Sequence, residues 1–165
     1  MLNWKIGDVT VKRIVELEVP VPYVEGKSFL PQASPAALKT MPWLYPHFAQ
    51  EDGTLTLSIH ALLVEAPGIK LVVDTCIGND KPRQFLRGQK LQTQFLQHME
   101  EAGFGRNDVN AVVCTHLHVD HVGWNTMLED GKWVPTFPNA RYLIGRKEYE
   151  FWVGSDNDEQ FNILT

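Results

Sequence analysis

Three histidines and an aspartate stand within six residues of the chain, at His116, His118, Asp120 and His121. Imidazole nitrogen and carboxylate oxygen together suit zinc and other borderline divalent metals, whereas calcium and magnesium favour oxygen ligands. A single histidine on a loop is usually only solvated or hydrogen-bonded. Histidine is nevertheless a rare residue, so the combined pattern His-x-His-x-Asp-His indicates a metal site rather than chance.

The element that must position these side chains is the apolar run immediately before them. Ala111, Val112 and Val113 are typical of a short buried strand, which would place the ligands on a loop beyond its C-terminal end. Open α/β sheets place their chemistry at this edge. In extended backbone, His116 and His118 project to the same side. Asp120 and His121 follow where the chain must turn, so the sequence predicts two neighbouring groups of ligands.

Two stretches of the sequence resemble a known family. Residues 115–123, Thr-His-Leu-His-Val-Asp-His-Val-Gly, resemble the metal-binding motif of the metallo-β-lactamase-fold hydrolases. Residues 72–75, Val-Val-Asp-Thr, resemble the strand-end aspartate motif that precedes it in that superfamily, and the resemblance extends to about residue 153. The motif is weakly specific for substrate, because members include β-lactamases, lactonases, thioesterases, phosphotriesterases, nucleases and di-iron redox enzymes.

The resemblance implies a fold of the α/β (α+β) class, a four-layer αββα sandwich, and a role for each motif residue. His116 and His118 would bind one ion, and Asp120 and His121 a second. Zn²⁺ is the expected metal, two ions per complete site, with other divalent metals an open alternative. A hydroxide between the ions would be the nucleophile, because metal coordination lowers the pKa of water to about 7. Asp120 would also accept a proton in catalysis. Asp74 would lie outside the ligand set and orient the motif of residues 115–123, called the histidine loop below, unless Asp74 only initiates a turn.

Three functions are consistent with this pattern. The leading one is a zinc-dependent hydrolase of a small-molecule ester, lactone or related substrate. The second is a metal-binding but catalytically incomplete fragment or interaction module. The third is a di-iron redox protein, but redox members of the family typically carry a glutamate at the position of His118. The histidine therefore favours hydrolysis.

Some ligands of the family pattern have no counterpart in this sequence. The family places a third histidine, a bridging aspartate and a last histidine downstream, yet no histidine follows His121. The later aspartates, Asp130, Asp156 and Asp158, lie in no recognisable motif. We therefore expect residues 1–165 to be a single metallo-β-lactamase-like domain truncated at its C-terminus, holding the N-terminal half of the sandwich and poorly active alone. An uncovered apolar sheet face would favour a homo-oligomer.

Composition narrows the classes of partner. The formal net charge is −5 with no run of lysine and arginine, which disfavours nucleic acid and leaves a small-molecule substrate as the expected partner. No apolar run reaches membrane-spanning length and the N-terminus does not resemble a signal peptide, so we expect no membrane association and a cytoplasmic location. Cys76 and Cys114 make no disulfide framework and are predicted to be small buried residues.

Periodicity and turn residues predict the remaining elements. Strands are expected over 3–6 and 9–19, around a Gly7-Asp8 turn, and over 108–115 and 140–144, with a hairpin over 55–65 and 69–74 closed at Pro67-Gly68. A short helix is expected to start over 34–39, with Ser34 as its N-cap and Pro35 at its first position. Longer helices are expected over 146–152 and over 91–103, the latter with one apolar face made by Leu91, Phe95, Leu96, Met99 and Ala102. Residues around Gly131 and 135–138 are predicted as loops. Lys81, Arg83 and Arg87 occupy a predicted loop, where their charges are expected to be solvated or, alternatively, to meet an anionic substrate.

Overall fold

The computed structural model describes residues 2–154, which divide into two compact units. One unit comprises residues 2–16 and 60–154, and the other comprises residues 17–59. Asp156 and Asp158 lie outside the described residues. That residues 1–165 form one truncated domain stays a prediction.

The described residues mix strands with short helices, which confirms the predicted α/β class. The strands are β1 Asn3–Ile6, β2 Val9–Val21, β3 Leu55–Ala66, β4 Ile69–Val73, β5 Ala111–Val113, β6 Thr126–Glu129, β7 Lys132–Pro135 and β8 Arg141–Leu143. The α-helices are α1 Pro35–Leu38, α2 Phe95–Glu101 and α3 Arg146–Val153, and 3₁₀ turns cover Pro42–Leu44, Gln84–Leu86 and Gly123–Asn125. Within residues 2–154, no helix has the length and apolar character needed to cross a membrane.

Six strands form one mixed sheet in the order β1-β2-β3-β4-β5-β8. The β1–β2 and β3–β4 pairs are antiparallel and are joined at the turns predicted from Gly7 and Gly68. β4, β5 and β8 are parallel neighbours, with Val73, Val113 and Leu143 in register at their carboxyl ends. Asp74, the histidine loop and the start of α3 therefore leave the sheet at one edge.

The unit of residues 17–59 contains α1, whose start the sequence predicts. The Ser34 hydroxyl accepts a hydrogen bond from the Ala37 N–H at 3.2 Å, and Pro35 occupies the first turn. Both features are favoured at helix N-termini. Leu38 is buried, so this short helix is held by a side chain as well as by its cap.

Helix α2 begins four residues later than the predicted boundary at Leu91. Leu91 forms a bridge with Asn79, and the Thr93 N–H donates to Asn79 Oδ1 at 2.8 Å while Asn79 Nδ2 donates to the Thr93 carbonyl at 3.1 Å. These bonds hold residues 91–93 extended. The helix then buries Phe95 and Met99 on the predicted face.

The β6–β7 hairpin corrects the prediction of a loop around Gly131. Asp130 and Gly131 both have positive φ, +50° and +77°, as a two-residue type I′ turn requires. Asp-Gly is a strong hairpin signal, but polar residues surround it and obscured the strand alternation. Thr126↔Pro135 through Glu129↔Lys132 define the register.

The histidine loop is fastened to the loop after β4 by backbone hydrogen bonds. The Thr75 N–H donates to the His121 carbonyl, and the Gly123 and Trp124 N–H groups donate to the Cys76 and Thr75 carbonyls, all at 2.7 Å. A Cβ on Gly123 would lie 1.8 Å from the Ile77 carbonyl oxygen. Only glycine permits this approach, so its position in the motif has a steric cause.

We predict that Gly123→Ala destabilises the protein by about 3 kcal/mol or more, because backbone must move to relieve the overlap. Urea unfolding measures the change. Gly145→Ala is the matched control, since its added Cβ would meet only Glu148 Cβ, at 3.7 Å. Equal stability of the two variants would contradict the inferred close contact of the loops.

Candidate metal centre

Asp74 is the polar centre that anchors the histidine loop. It follows β4 with φ +59°, a left-handed conformation that aspartate tolerates better than most residues. Its Oδ1 accepts the Thr115 N–H at 2.8 Å, and its Oδ2 accepts the Thr115 hydroxyl at 2.8 Å. His121 Nδ1 lies 2.9 Å from the same Oδ2. The side chain is thus bonded to both ends of the loop.

These bonds fix which ring nitrogens carry protons. An ionised carboxylate only accepts hydrogen bonds, so His121 carries a proton on Nδ1, and in the neutral ring Nε2 has the lone pair. The Thr115 hydroxyl donates its one proton to Asp74 and must therefore accept from His116 Nδ1, 3.0 Å away. His116 Nε2 consequently carries a lone pair, which faces His118 Nδ1. Metal-binding imidazoles are oriented in the same way, by a hydrogen bond at the other nitrogen.

His116 and His118 converge as the two-residue spacing predicted. His116 Nε2 and His118 Nδ1 are 3.1 Å apart. Two nitrogens bound to one tetrahedral zinc at about 2.0–2.1 Å are separated by about 3.3 Å. The donor chemistry and the spacing both fit one zinc ion facing these two atoms.

Asp120 and His121 lie beside this pair. The rings of His116 and His121 have centroids 3.9 Å apart, and Asp120 Oδ2 is 3.6 Å from His121 Nε2. Asp120 and His118 are partly open to solvent. The four predicted ligands are therefore gathered in one place.

The ligand set is nevertheless incomplete in the part of the chain that the structure describes. Among residues 2–154, no group of three or more histidine, cysteine, aspartate or glutamate side chains has a geometry that could hold one ion. The chain supplies ligands in pairs, whereas a catalytic zinc usually has three protein ligands.

Burial and neighbouring charges set the protonation of the cluster. Burial, together with His121 and His118, lowers the pKa of His116. Burial opposes the charge of Asp74, but hydrogen bonds from His121 and Thr115 outweigh it and lower its pKa. Burial would also lower the pKa of His121, yet the bond to Asp74 and the charge of Asp120 raise it. Asp74 thus stays ionised and His116 neutral at pH 7, as metal binding requires.

Glu16 is a supporting residue that the sequence did not reveal. Its carboxylate accepts hydrogen bonds from the Trp124 indole and the Ile77 N–H, both at 2.7 Å, and from the Thr93 hydroxyl at 3.2 Å. The donors come from three segments far apart in sequence, so no local pattern identifies the residue. Glu16 therefore joins the loop after β4, through Ile77, to the segment that follows the histidines, through Trp124.

The prediction of solvated charges on the loop after β4 is wrong for two of its three residues. Lys81 and Arg83 are only 7% and 2% exposed, while Arg87 is exposed. Lys81 Nζ donates to the Thr126 carbonyl at 2.7 Å and lies 4.0 Å from the centre of the Trp133 ring. Arg83 donates to the Ile77 carbonyl at 3.2 Å. Both cations therefore have structural partners in the protein rather than a place in a substrate-binding surface.

The cysteines are buried and free, as predicted. Cys114 Sγ lies 3.8 Å from Asn125 Oδ1. Burial raises the pKa of both thiols, with the charges of Glu16 and Asp74 adding to the effect at Cys76. Neither is a thiolate at neutral pH.

A family model described as the metallo-β-lactamase superfamily matches residues 55–159, which include the strand-end aspartate and the whole histidine motif. The chain belongs to the metallo-β-lactamase superfamily. This membership confirms the predicted family and fold class.

Relatives of this superfamily member include lactonases. The chain is 36% identical over 56 residues to the N-acyl homoserine lactonase AttM of Agrobacterium fabrum (strain C58 / ATCC 33970), an alignment covering 34% of this chain and 18% of AttM. The structure resembles AidC, a dizinc quorum-quenching lactonase, with TM-score 0.69, 23% identity and coverage of 94% of this chain and 48% of AidC. A probable metal-dependent hydrolase from Staphylococcus aureus gives TM-score 0.68 at 19% identity, covering 94% and 53%. The chain thus spans about half the length of these solved structures.

Asp74→Asn is expected to destabilise this superfamily member by about 2 kcal/mol, because an amide cannot accept from Thr115 and His121 as a carboxylate does. Chemical denaturation of the metal-free protein measures the loss. Asp80→Asn is the matched control: Asp80 also has positive φ, +64°, but it is only half-buried, and among the bonds described its side chain accepts only from Gln92. A loss for Asp80→Asn as large as that for Asp74→Asn would refute the anchoring role.

The lowered pKa of Lys81 predicts that the free energy of unfolding depends on pH. Burial lowers the pKa of Lys81 to about 8, with the charge of Arg83 adding to the effect, whereas the unfolded chain has the ordinary value near 10.5. Between these values the unfolded state binds more protons, so this group makes stability rise with pH.

The stability of wild type relative to Lys81→Met should therefore rise from pH 8 to pH 10.5 by an amount on the order of 3 kcal/mol, and be flat below pH 7. Urea unfolding at several pH values measures it. Exposed Lys90→Met is the control and should follow the wild-type profile. A relative stability of wild type and Lys81→Met that does not change with pH would rule out the lowered pKa.

Proposed function

We propose that this chain carries the first half of the active site of a zinc-dependent hydrolase that opens lactones or cleaves related small esters. The observation that carries the proposal is the 3.1 Å convergence of His116 Nε2 and His118 Nδ1. Asp74 and Thr115 hold the first of these lone pairs in place. Such pre-formed orientation is typical of a metal site rather than of a solvated loop.

The motif residues divide the proposed roles among them. His116 and His118 hold one ion, and Asp120 and His121 contribute to a second. Asp74 supports His121 and the loop from outside the ligand set. A bound divalent metal would supply a water of lowered pKa and polarise the carbonyl of the substrate.

Asp120 is the proposed catalytic residue of the chain. Its carboxylate is partly exposed and has no shorter charged partner among the described residues than His121, at 3.6 Å. A carboxylate open towards substrate on one side can accept a proton as the ester bond is attacked. Its neighbour His121 is restrained by its bond to Asp74, which limits how far His121 can move relative to Asp120.

The substrate class rests on the relatives. AttM is named an N-acyl homoserine lactonase and AidC a dizinc quorum-quenching lactonase, which supports zinc as the metal and lactones ahead of β-lactams and phosphotriesters. Histidine at position 118 agrees with hydrolysis rather than di-iron redox chemistry. The substrate proposed for the first assay is therefore an N-acyl homoserine lactone.

A second candidate function follows from the ligand count. The described residues contain no three-ligand group, which favours a metal-binding chain that lacks full activity by itself. The two candidates differ in metal stoichiometry and turnover, so one experiment separates them.

The experiment combines elemental analysis of the purified full chain with N-acyl homoserine lactone hydrolysis followed by acid release. We expect zinc to be bound and to be lost in the His116→Ala/His118→Ala double variant. Turnover should be at least 100-fold below that of AidC assayed in parallel if the missing ligands are needed. His98→Ala, which changes a histidine on α2, is the control and should retain zinc.

Each result has a defined meaning. Two tightly held zinc ions with zinc-dependent turnover support the hydrolase and would refute the incomplete site. Zinc bound without turnover supports the metal-binding chain. No zinc in the wild type, or zinc retained by the double variant, would refute the proposed site.

A further inference from the structure

Helix α3 is connected to the histidine loop through Glu148. The Leu117 N–H, in the peptide between His116 and His118, donates to Glu148 Oε1 at 3.0 Å. The Trp152 indole N–H donates to the same oxygen at 2.8 Å. The carboxylate therefore joins one turn of α3 to the backbone between the two proposed ligands.

The ordinary role of a glutamate at this position accounts for only part of this arrangement. Glu148 lies in the first turn of α3, where a negative charge is favoured by the helix dipole. That role requires no partner outside the helix. Here Oε1 accepts from a loop 31 residues earlier, and α3 supplies the second donor from its own next turn.

The position of Trp152 extends this connection to a ligand side chain. Its ring lies 5.6 Å from that of His118, centre to centre, at an interplanar angle of 72°. The indole is fixed by its bond to Glu148, so it limits the rotation of His118. Leu117 itself is fully buried, which restrains the same peptide from the opposite side.

We propose that Glu148 is a positioning residue for the metal site, which fixes the direction of the His116–His118 ligand pair through the Leu117 N–H and the Trp152 ring. Asp74 and Thr115 orient His116 and His121, but His118 has no described bond of that kind at its other ring nitrogen. Glu148 and Trp152 restrain the remaining ligand. The inference rests on the proposed function, because it assigns a support to that same metal site.

The test is a Co²⁺ titration of the metal-free full chain, followed by visible absorption, which reports both affinity and ligand geometry. Glu148→Ala should weaken Co²⁺ binding by about 10- to 100-fold, as loss of supporting bonds to metal ligands does, and should alter the absorption band. Glu148→Gln keeps a side-chain oxygen for the Leu117 N–H and should recover most of the affinity. Glu150→Ala, an exposed glutamate of the same helix, is the matched control and should bind as wild type.

Two further measurements separate positioning from general stability. Amide hydrogen exchange of Leu117 in the metal-free protein should accelerate in Glu148→Ala and remain slow in Glu150→Ala. The urea midpoint is recorded for every variant. If Glu148→Ala does not fold, Trp152→Phe, which removes only the indole donor and shrinks the ring, takes its place and should weaken Co²⁺ binding while leaving the Leu117 amide protected.

The outcomes distinguish this inference from the proposed function. Absence of Co²⁺ binding in wild type would overturn both. Binding in wild type with unchanged affinity and absorption in Glu148→Ala would overturn only the role of Glu148. Equal weakening in Glu148→Gln and Glu148→Ala would also overturn it, because charge rather than the positioning bond would then be responsible.

Discussion

The rest of the site depends on one buried carboxylate, that of Asp74. A charge removed from water must be compensated by donors, and here the donors are Thr115 and His121, which lie 41 and 47 residues later in the chain. Because β4 and β5 are parallel neighbours, the carboxylate reaches both without leaving the sheet edge. The requirement to satisfy Asp74 therefore determines the path of the histidine loop, and the loop in turn determines where the lone pairs point.

Close backbone approach adds a second constraint. The bonds from Gly123 and Trp124 to residues 75–76 act like a short ladder between two segments that are not strands. This ladder requires glycine at position 123. Glu16 adds a hydrogen bond to each of its two segments, accepting from Trp124 and from Ile77. These bonds restrain the histidine loop although it lacks long regular secondary structure. Such restraint suits a proposed metal site, whose ligands bind best when they are already oriented.

Local signals in the sequence predicted the parts of the structure that have local causes. The Gly68 turn, the Ser34 cap and the apolar run of β5 each depend on neighbouring residues, and all three were predicted. The start of α2 and the burial of Lys81 were not, because Asn79 and Trp133 decide them from across the fold. The same distinction holds at the site. The residue types and spacing of the motif predicted which side chains gather. The link that Thr115 makes between Asp74 and His116, and the bonds that Glu16 accepts, depend on contacts that no periodicity contains.

The number of ligands in the proposed metal site and the orientation of those ligands are separate properties of the molecule. The number of ligands is a matter of sequence, and residues 2–154 supply no group of three. Their orientation is a matter of hydrogen bonds within the chain. Burial, together with repulsion from His121 and His118, lowers the pKa of His116, so this ring meets a cation in its neutral form. Additional ligands would then raise affinity without having to reorganise the loop, since the entropy of ordering these side chains has already been lost in folding.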